Sequence, residues 1–274
     1  MIITIIGLGI IGGSYAKGLS KAGHTVYGID KNLETIEYAK SKGYILDGSN
    51  EANQFVSMAE LIVIGLYPND VIPFIKSNLG LFKKGQVVTD VCGVKECICE
   101  EATSLLKDGY FIGSHPMAGR EKVGIKFADE NIFIGTNFLM CPIEGTNEIA
   151  IDVVSRMAKD LGFGHIHQIS PKFHDEMIAY TSQLTHAIAV SLVNSANSDE
   201  VVKFIGDSYR DLTRIAMINE MLWSQLFIEN KEALTGQIDS FISELELIKT
   251  AINSENLNLL KEKFISSKKK REVM

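Results

Sequence analysis

The sequence has no paired Cys-x-x-Cys blocks. Its four cysteines stand at positions 92, 97, 99 and 141, which excludes the usual spacing of a structural zinc site and leaves free thiols in a reducing compartment as the simplest account. No metal site is expected. Cationic surface is also scarce: 27 Lys and Arg stand against 34 Asp and Glu, a formal charge of -7. Nucleic-acid binding needs a concentrated positive footprint, so a nucleic-acid scaffold is excluded. The one basic cluster, Lys268 to Arg271, reads as a solvated helix end. Long apolar runs are missing too, since none approaches the roughly 18 to 20 residues of a membrane span. The apolar start, Ile2 to Ile11, lacks the cationic n-region of a signal peptide and runs into four glycines within 7 to 13. The expectation is a cytoplasmic protein with neither membrane nor nucleic-acid partner.

What is present is an ordinary globular composition, 46% hydrophobic and 22% charged over 274 residues. That length favours two packed domains over one. Up to about residue 170, short β-rich apolar runs alternate with helical stretches, as in a parallel sheet covered on both faces. The strands are predicted at Ile2 to Ile6, Thr25 to Ile29, Leu61 to Leu66, Val87 to Asp90, Tyr110 to Gly113, Phe138 to Cys141 and His165 to Ile169. Helices are predicted at Leu33 to Lys42 and Ile149 to Leu161, the second stopped by Gly162. Ser170 can then cap a helix whose first position suits Pro171, and no convincing strand follows. The predicted fold is therefore an α/β, doubly wound domain over 1–170 followed by an all-α helical domain over 171–274. In the latter, Leu234, Ile238, Phe241, Leu245, Ile248 and Ile252 are spaced alternately four and three apart. This marks a long helix with one seam, either intrachain core or subunit interface.

Gly7-Leu8-Gly9-Ile10-Ile11-Gly12 follows the first predicted strand and opens a helix, the context in which G-x-G-x-x-G signifies a Rossmann-type dinucleotide site. Gly7 permits the tight turn, Gly9 lets backbone approach a pyrophosphate, and Gly12 lets helix and strand pack closely. The helix start directs free N-H groups at the phosphates. Asp30, ending the second strand eighteen residues after Gly12, can accept from the ribose hydroxyls and would repel a 2'-phosphate. NAD is thus expected in preference to NADP.

A nicotinamide cofactor needs a group that removes the hydroxyl proton as hydride leaves, a task suited to histidine. Of six histidines, His115 is singled out. It lies in Gly113-Ser114-His115-Pro116-Met117-Ala118-Gly119, just beyond a strand where open α/β sheets bind ligands, and Pro116 biases it toward an extended backbone. A structural role for a lone histidine stays open on these residues alone.

Taken with the glycine fingerprint, this heptapeptide resembles the signature of prephenate and arogenate dehydrogenases. Asp90-Val91-Cys92-Gly93-Val94-Lys95 is similar to the family's Asp-x-x-Ser-x-Lys, and His174-Asp175 followed by Ser182-Gln183-Leu184-Thr185-His186 resembles the first helix of its substrate domain. Tyr209-Arg210-Asp211-Leu212-Thr213-Arg214-Ile215-Ala216 resembles Phe-Arg-Asp-x-Thr-Arg-Ile-Ala, with Trp223 and Glu229-Asn230-Lys231 downstream. The resemblance spans nearly the whole chain and implies an NAD-dependent oxidative decarboxylation of prephenate, driven by aromatisation. It implies that His115 accepts the hydroxyl proton and Arg214 holds a substrate carboxylate. It further implies that His186 and Gln183 face the substrate, Glu121 lies at the mouth of the site, and Trp223 lines it. Gly93 stands where the family usually has a serine bonded to the catalytic histidine, leaving Ser114 or a water to orient His115. A homodimer built through the helical domains is expected. The alternatives are an arogenate dehydrogenase, a β-hydroxyacid dehydrogenase, which would need a lysine base in the helical domain, and a non-catalytic NAD-binding redox sensor.

Overall fold

A computed structural model describes residues 1–107, 109–119 and 122–273. They form two compact units, Met1–Asn230 and Lys231–Met274. The first unit begins β1 (Ile2–Ile6), α1 (Ile10–Lys21), β2 (Thr25–Ile29), α2 (Leu33–Ser41), β3 (Asp47–Ser49), α3 (Gln54–Met58), β4 (Leu61–Ile64) and α4 (Pro68–Ser77). It continues with β5 (Val87–Asp90), α5 (Glu96–Leu105), β6 (Tyr110–Pro116), β7 (Asn137–Cys141), α6 (Glu148–Asp160) and β8 (His165–Gln168). Four helices complete it: α7 (Pro171–Ile178), α8 (Leu184–Asn194), α9 (Asp207–Thr213) and α10 (Glu220–Glu229). Among the described residues no strand follows β8.

One eight-stranded sheet runs in the order β3-β2-β1-β4-β5-β6-β7-β8. The apolar runs of β1 and β4 suit a sheet covered on both faces. Their side chains alternate accordingly: Ile3, Ile5, Leu61 and Val63 enter a core with Tyr15, Leu19 and Val154. Ile6, Ile62 and Ile64 enter a second core with Val71, Ile98 and Leu226. The sheet departs from the all-parallel expectation at one edge, because β7 pairs antiparallel with β6 while β8 pairs parallel with β7. That pairing has a local consequence. It extends β6 three residues past the predicted end at Gly113, so His115 lies within the strand, opposite Leu139. β3, Asp47-Gly48-Ser49, was not predicted; it has no apolar residue and exists by pairing with Tyr27 to Ile29.

Local signals elsewhere act as read. Ser170 accepts a hydrogen bond from the Phe173 amide and Pro171 occupies the first turn of α7, while Gly162 adopts φ +86° after α6. Between α7 and α8 the turn widens to a π-helical segment, Ala179–Gln183. The second unit is a helical pair, α11 (Lys231–Asn253) and α12 (Leu257–Glu272), tied by Lys263 and Glu244 at 2.8 Å. Along the α11 seam Leu234 is buried, yet Leu245 and Ile252 are 49% and 58% exposed.

Candidate active site

The glycine loop leaves the C-terminal end of β1, beside the point where strand order reverses between β1 and β4, which is where open sheets bind ligands. Gly7 has φ +86°, and a Cβ there would stand 2.6 Å from the Gly65 carbonyl oxygen. A Cβ on Gly12 would stand 1.9 Å from the Gly7 carbonyl oxygen. Gly9, by contrast, would point a Cβ into open space. It forms the N-cap of α1 and has no side chain with which to cap the helix start, so among the described residues the amides there are available to an anion. Asp30 flanks the same loop: its Oδ2 accepts from the Leu8 amide at 2.8 Å and its Oδ1 from the Asn32 amide at 2.9 Å. Both oxygens keep a further lone pair for a hydroxyl. An open, uncapped helix start beside an anchored carboxylate fits a dinucleotide.

His115 projects from β6 and is half-buried. Its Nδ1 lies 2.9 Å from Nε2 of His174, the fourth residue of α7. His174 is fully buried, and its Nδ1 lies 2.7 Å from Oδ1 of Asp175. That carboxylate also receives the first amides of α5, Lys95 N-H on Oδ1 and Glu96 N-H on Oδ2, both at 2.9 Å. Burial, the neighbouring His174 and the Lys95 charge push the pKa of His115 well below the ordinary histidine value. Burial also lowers His174, against the opposing pull of Asp175. An imidazole so placed stays unprotonated at neutral pH and can accept a proton.

Behind the strand lies a buried ion pair. Lys95 Nζ contacts Asp90 Oδ2, and both side chains are fully buried. Burial disfavours the ammonium, but Asp90, with Cys92 and Cys99 nearby, holds the Lys95 pKa above the usual lysine range. Asp90 also accepts from the amides of Cys92 and Ser114 at 3.0 and 3.1 Å, and so ties the end of β5 to β6.

This network corrects the expectation for Ser114. Its hydroxyl donates to the Asp90 carbonyl at 2.5 Å and accepts from Thr89 Oγ1 at 3.0 Å. Successive residues of a strand face opposite sides, so Ser114 points into the buried knot, away from the His115 ring. The partner of His115 is His174. Gly93 offers no side chain; a Cβ there would lie 3.7 Å from His115 Cε1.

Gln183 is corrected as well. It is 1% exposed, its Nε2 donates to the Leu226 carbonyl at 3.0 Å, and its Oε1 accepts from Asn230 Nδ2 at 2.8 Å. The same Asn230 nitrogen donates to the Asp175 carbonyl at 2.9 Å. Gln183 therefore ties the start of α8 to α10 and, buried as it is, does not reach open space. His186 and Trp223 do come together, their rings stacked at 3.6 Å, with His186 Nδ1 donating to the Ser182 carbonyl at 2.9 Å. Arg214 is exposed at the end of α9, where a single 3-10 turn, Arg214–Ala216, begins. Glu121 lies outside the described residues. Sequence reasoning assigned no role to His174 and Asp175, although they form the first acidic-histidine pair after the Ser170 cap. Among the described residues no group of three or more His, Cys, Asp or Glu could hold a metal ion.

Comparison with known proteins bears on what such a base serves. The sequence matches the family described as prephenate dehydrogenase, nucleotide-binding domain over residues 15–167, and prephenate dehydrogenase, dimerization domain over residues 170–266. The chain belongs to the prephenate dehydrogenase family. It is 28% identical to the prephenate dehydrogenase of Bacillus subtilis over 97% of this chain and 74% of that one. It is similar to the crystal structure of the A. aeolicus prephenate dehydrogenase in complex with hydroxyphenyl propionate and NAD+. There the TM-score is 0.89 and the identity 27%, over 99% of this chain and 98% of that one. The Synechocystis arogenate dehydrogenase matches with a TM-score of 0.86 and 25% identity, over 99% of each. In this chain position 93 is a glycine, and His115 meets His174.

Proposed function

We propose that this chain is an NAD-dependent prephenate dehydrogenase, converting prephenate to 4-hydroxyphenylpyruvate and carbon dioxide. The observation that carries this is His115, an imidazole held at the same end of the sheet as the open glycine cradle, its pKa pushed below the ordinary histidine value by burial. Gly7, Gly9, Gly12 and the start of α1 would hold the pyrophosphate, and Asp30 the adenosine ribose. Bound there, NAD supplies the hydride acceptor. His115 would accept the proton of the ring hydroxyl as the carbon bearing it gives up its hydride; carbon dioxide then leaves as the ring becomes aromatic, and the proton returns to the phenolate oxygen. Arg214 pairs with a substrate carboxylate through its two-pronged guanidinium, and the stacked His186 and Trp223 form a wall of the site. Residues 1–170 serve the cofactor; residues 171–274 serve the substrate and join two copies into a homodimer. No helix among the described residues is long and apolar enough to cross a membrane, in keeping with action on soluble metabolites in the cytoplasm.

The test is to offer purified protein prephenate and arogenate, each with NAD and with NADP, and follow the reduced nicotinamide. Turnover with prephenate and NAD supports the assignment, turnover with arogenate alone moves it to arogenate dehydrogenase, and no turnover with either rejects it. His115→Asn should lower kcat by roughly 10² to 10⁴ with NAD affinity nearly unchanged.

A further inference from the structure

The chain of groups behind His115 has a direction. A carboxylate can only accept, so the 2.7 Å contact between Asp175 Oδ1 and His174 Nδ1 places a proton on His174 Nδ1. Asp175 cannot readily turn away, because both its oxygens also hold the first amides of α5. A neutral His174 then presents a bare Nε2. Across the 2.9 Å separation from His115 Nδ1 one nitrogen must donate, and only His115 has a proton to give. We propose that His174 and Asp175 are positioning residues that hold His115 in its Nδ1-H form, leaving Nε2 bare as the proton acceptor.

The proposal rests on the assignment of His115 as the base and adds how the base is aimed. Gly93 cannot orient the ring, and Ser114 faces the other side of β6. When Nε2 takes a proton, the new charge lies in line with His174 and the Asp175 carboxylate, whose own charge is met by the positive end of α5. The arrangement follows the logic in which a buried carboxylate fixes a catalytic imidazole's tautomer without itself changing protonation. Here a second imidazole is interposed.

The decisive measurement is nitrogen NMR of the full-length protein labelled at histidine, without substrate, with His115 and His174 assigned from their variants. The wild type should show His115 protonated on Nδ1 and bare on Nε2. His174→Gln, whose amide oxygen can accept the same hydrogen bond, should preserve that form and keep kcat within about fivefold of wild type. His174→Leu should lose the preference and lower kcat about 10²-fold, with the KM for prephenate within about threefold. Wild-type His115 protonated on Nε2 instead would overturn the proposal, and so would equal kcat in the Gln and Leu variants. If His174→Leu does not fold, the tautomer in the wild type and in His174→Gln still decides. If the wild type turns over neither substrate, the enzymatic assignment fails while the tautomer measurement stands independently.

Discussion

Replacing Lys95 with methionine should report on both stability and the base. Lys95 and Asp90 are fully buried and in contact, and the Asp90 carboxylate also holds the amides of Cys92 and Ser114. Lys95→Met fills similar space but strands that carboxylate without a cation, and breaking a buried pair in this way costs about 3–5 kcal/mol. For a chain of this size, each kcal/mol moves Tm by roughly 2–4 °C, so the expected loss is on the order of 10 °C. Urea unfolding measures the free energy directly, and the double variant Asp90→Asn/Lys95→Met should recover much of it, because no charge is left unpaired. A loss below about 1 kcal/mol, or a double variant no more stable than the single, would refute this account of the pair. The same substitution has a second readout. The Lys95 charge helps to depress His115, alongside burial and His174, while Asp90 and Asp175 act in the opposite direction on the adjoining His174. His115 works unprotonated, so wild-type kcat/KM should be flat through neutral pH and fall only below the ordinary histidine value of about 6.5. In Lys95→Met that acid limb should move upward. The two imidazoles also affect folding. Their depressed pKa values mean the folded state binds fewer protons than the unfolded one, so their contribution is present above about pH 6.5 and is lost as pH falls.

NAD should exceed NADP by at least about tenfold in kcat/KM, and Asp30→Asn should narrow the gap by relieving repulsion of the 2'-phosphate. Arg214→Ala should raise the KM for prephenate by roughly 10- to 100-fold while the KM for NAD stays within about threefold, with lysine rescuing only in part. An unchanged prephenate KM would assign Arg214 elsewhere. Light scattering should find a dimer at micromolar concentration that Phe241→Asp with Leu245→Asp weakens or abolishes. A dimer unmoved by both changes would place the interface outside the α11 seam.

Where a feature depends on neighbours a few residues away, the sequence alone determined it. Gly7 and Gly12 encode the turn and the close helix-strand approach through their missing Cβ atoms. Asp30 follows from where β2 must end, and Ser170 with Pro171 starts α7 by local capping. The apolar runs of β1, β4 and β5 mark strands buried on both faces. His115 stood out by its place at the ligand-binding end of the sheet, but only the resemblance of its heptapeptide to the family signature gave it a catalytic role.

Tertiary structure decided what depends on distant pairings. β3 has no apolar signature and exists only because β2 offers it an edge. The antiparallel docking of β7 lengthens β6 through Pro116, and the two-residue period of that strand then sends Ser114 into the Asp90 knot and His115 toward α7. His174 reaches His115 across 59 residues of sequence, a distance at which no spacing rule applies. Gln183 likewise looked like a substrate ligand until the packing of α8 against α10 used both ends of its amide. A side chain's chemistry is set by its residue type, but its partners are set by which elements meet, and that information is nonlocal.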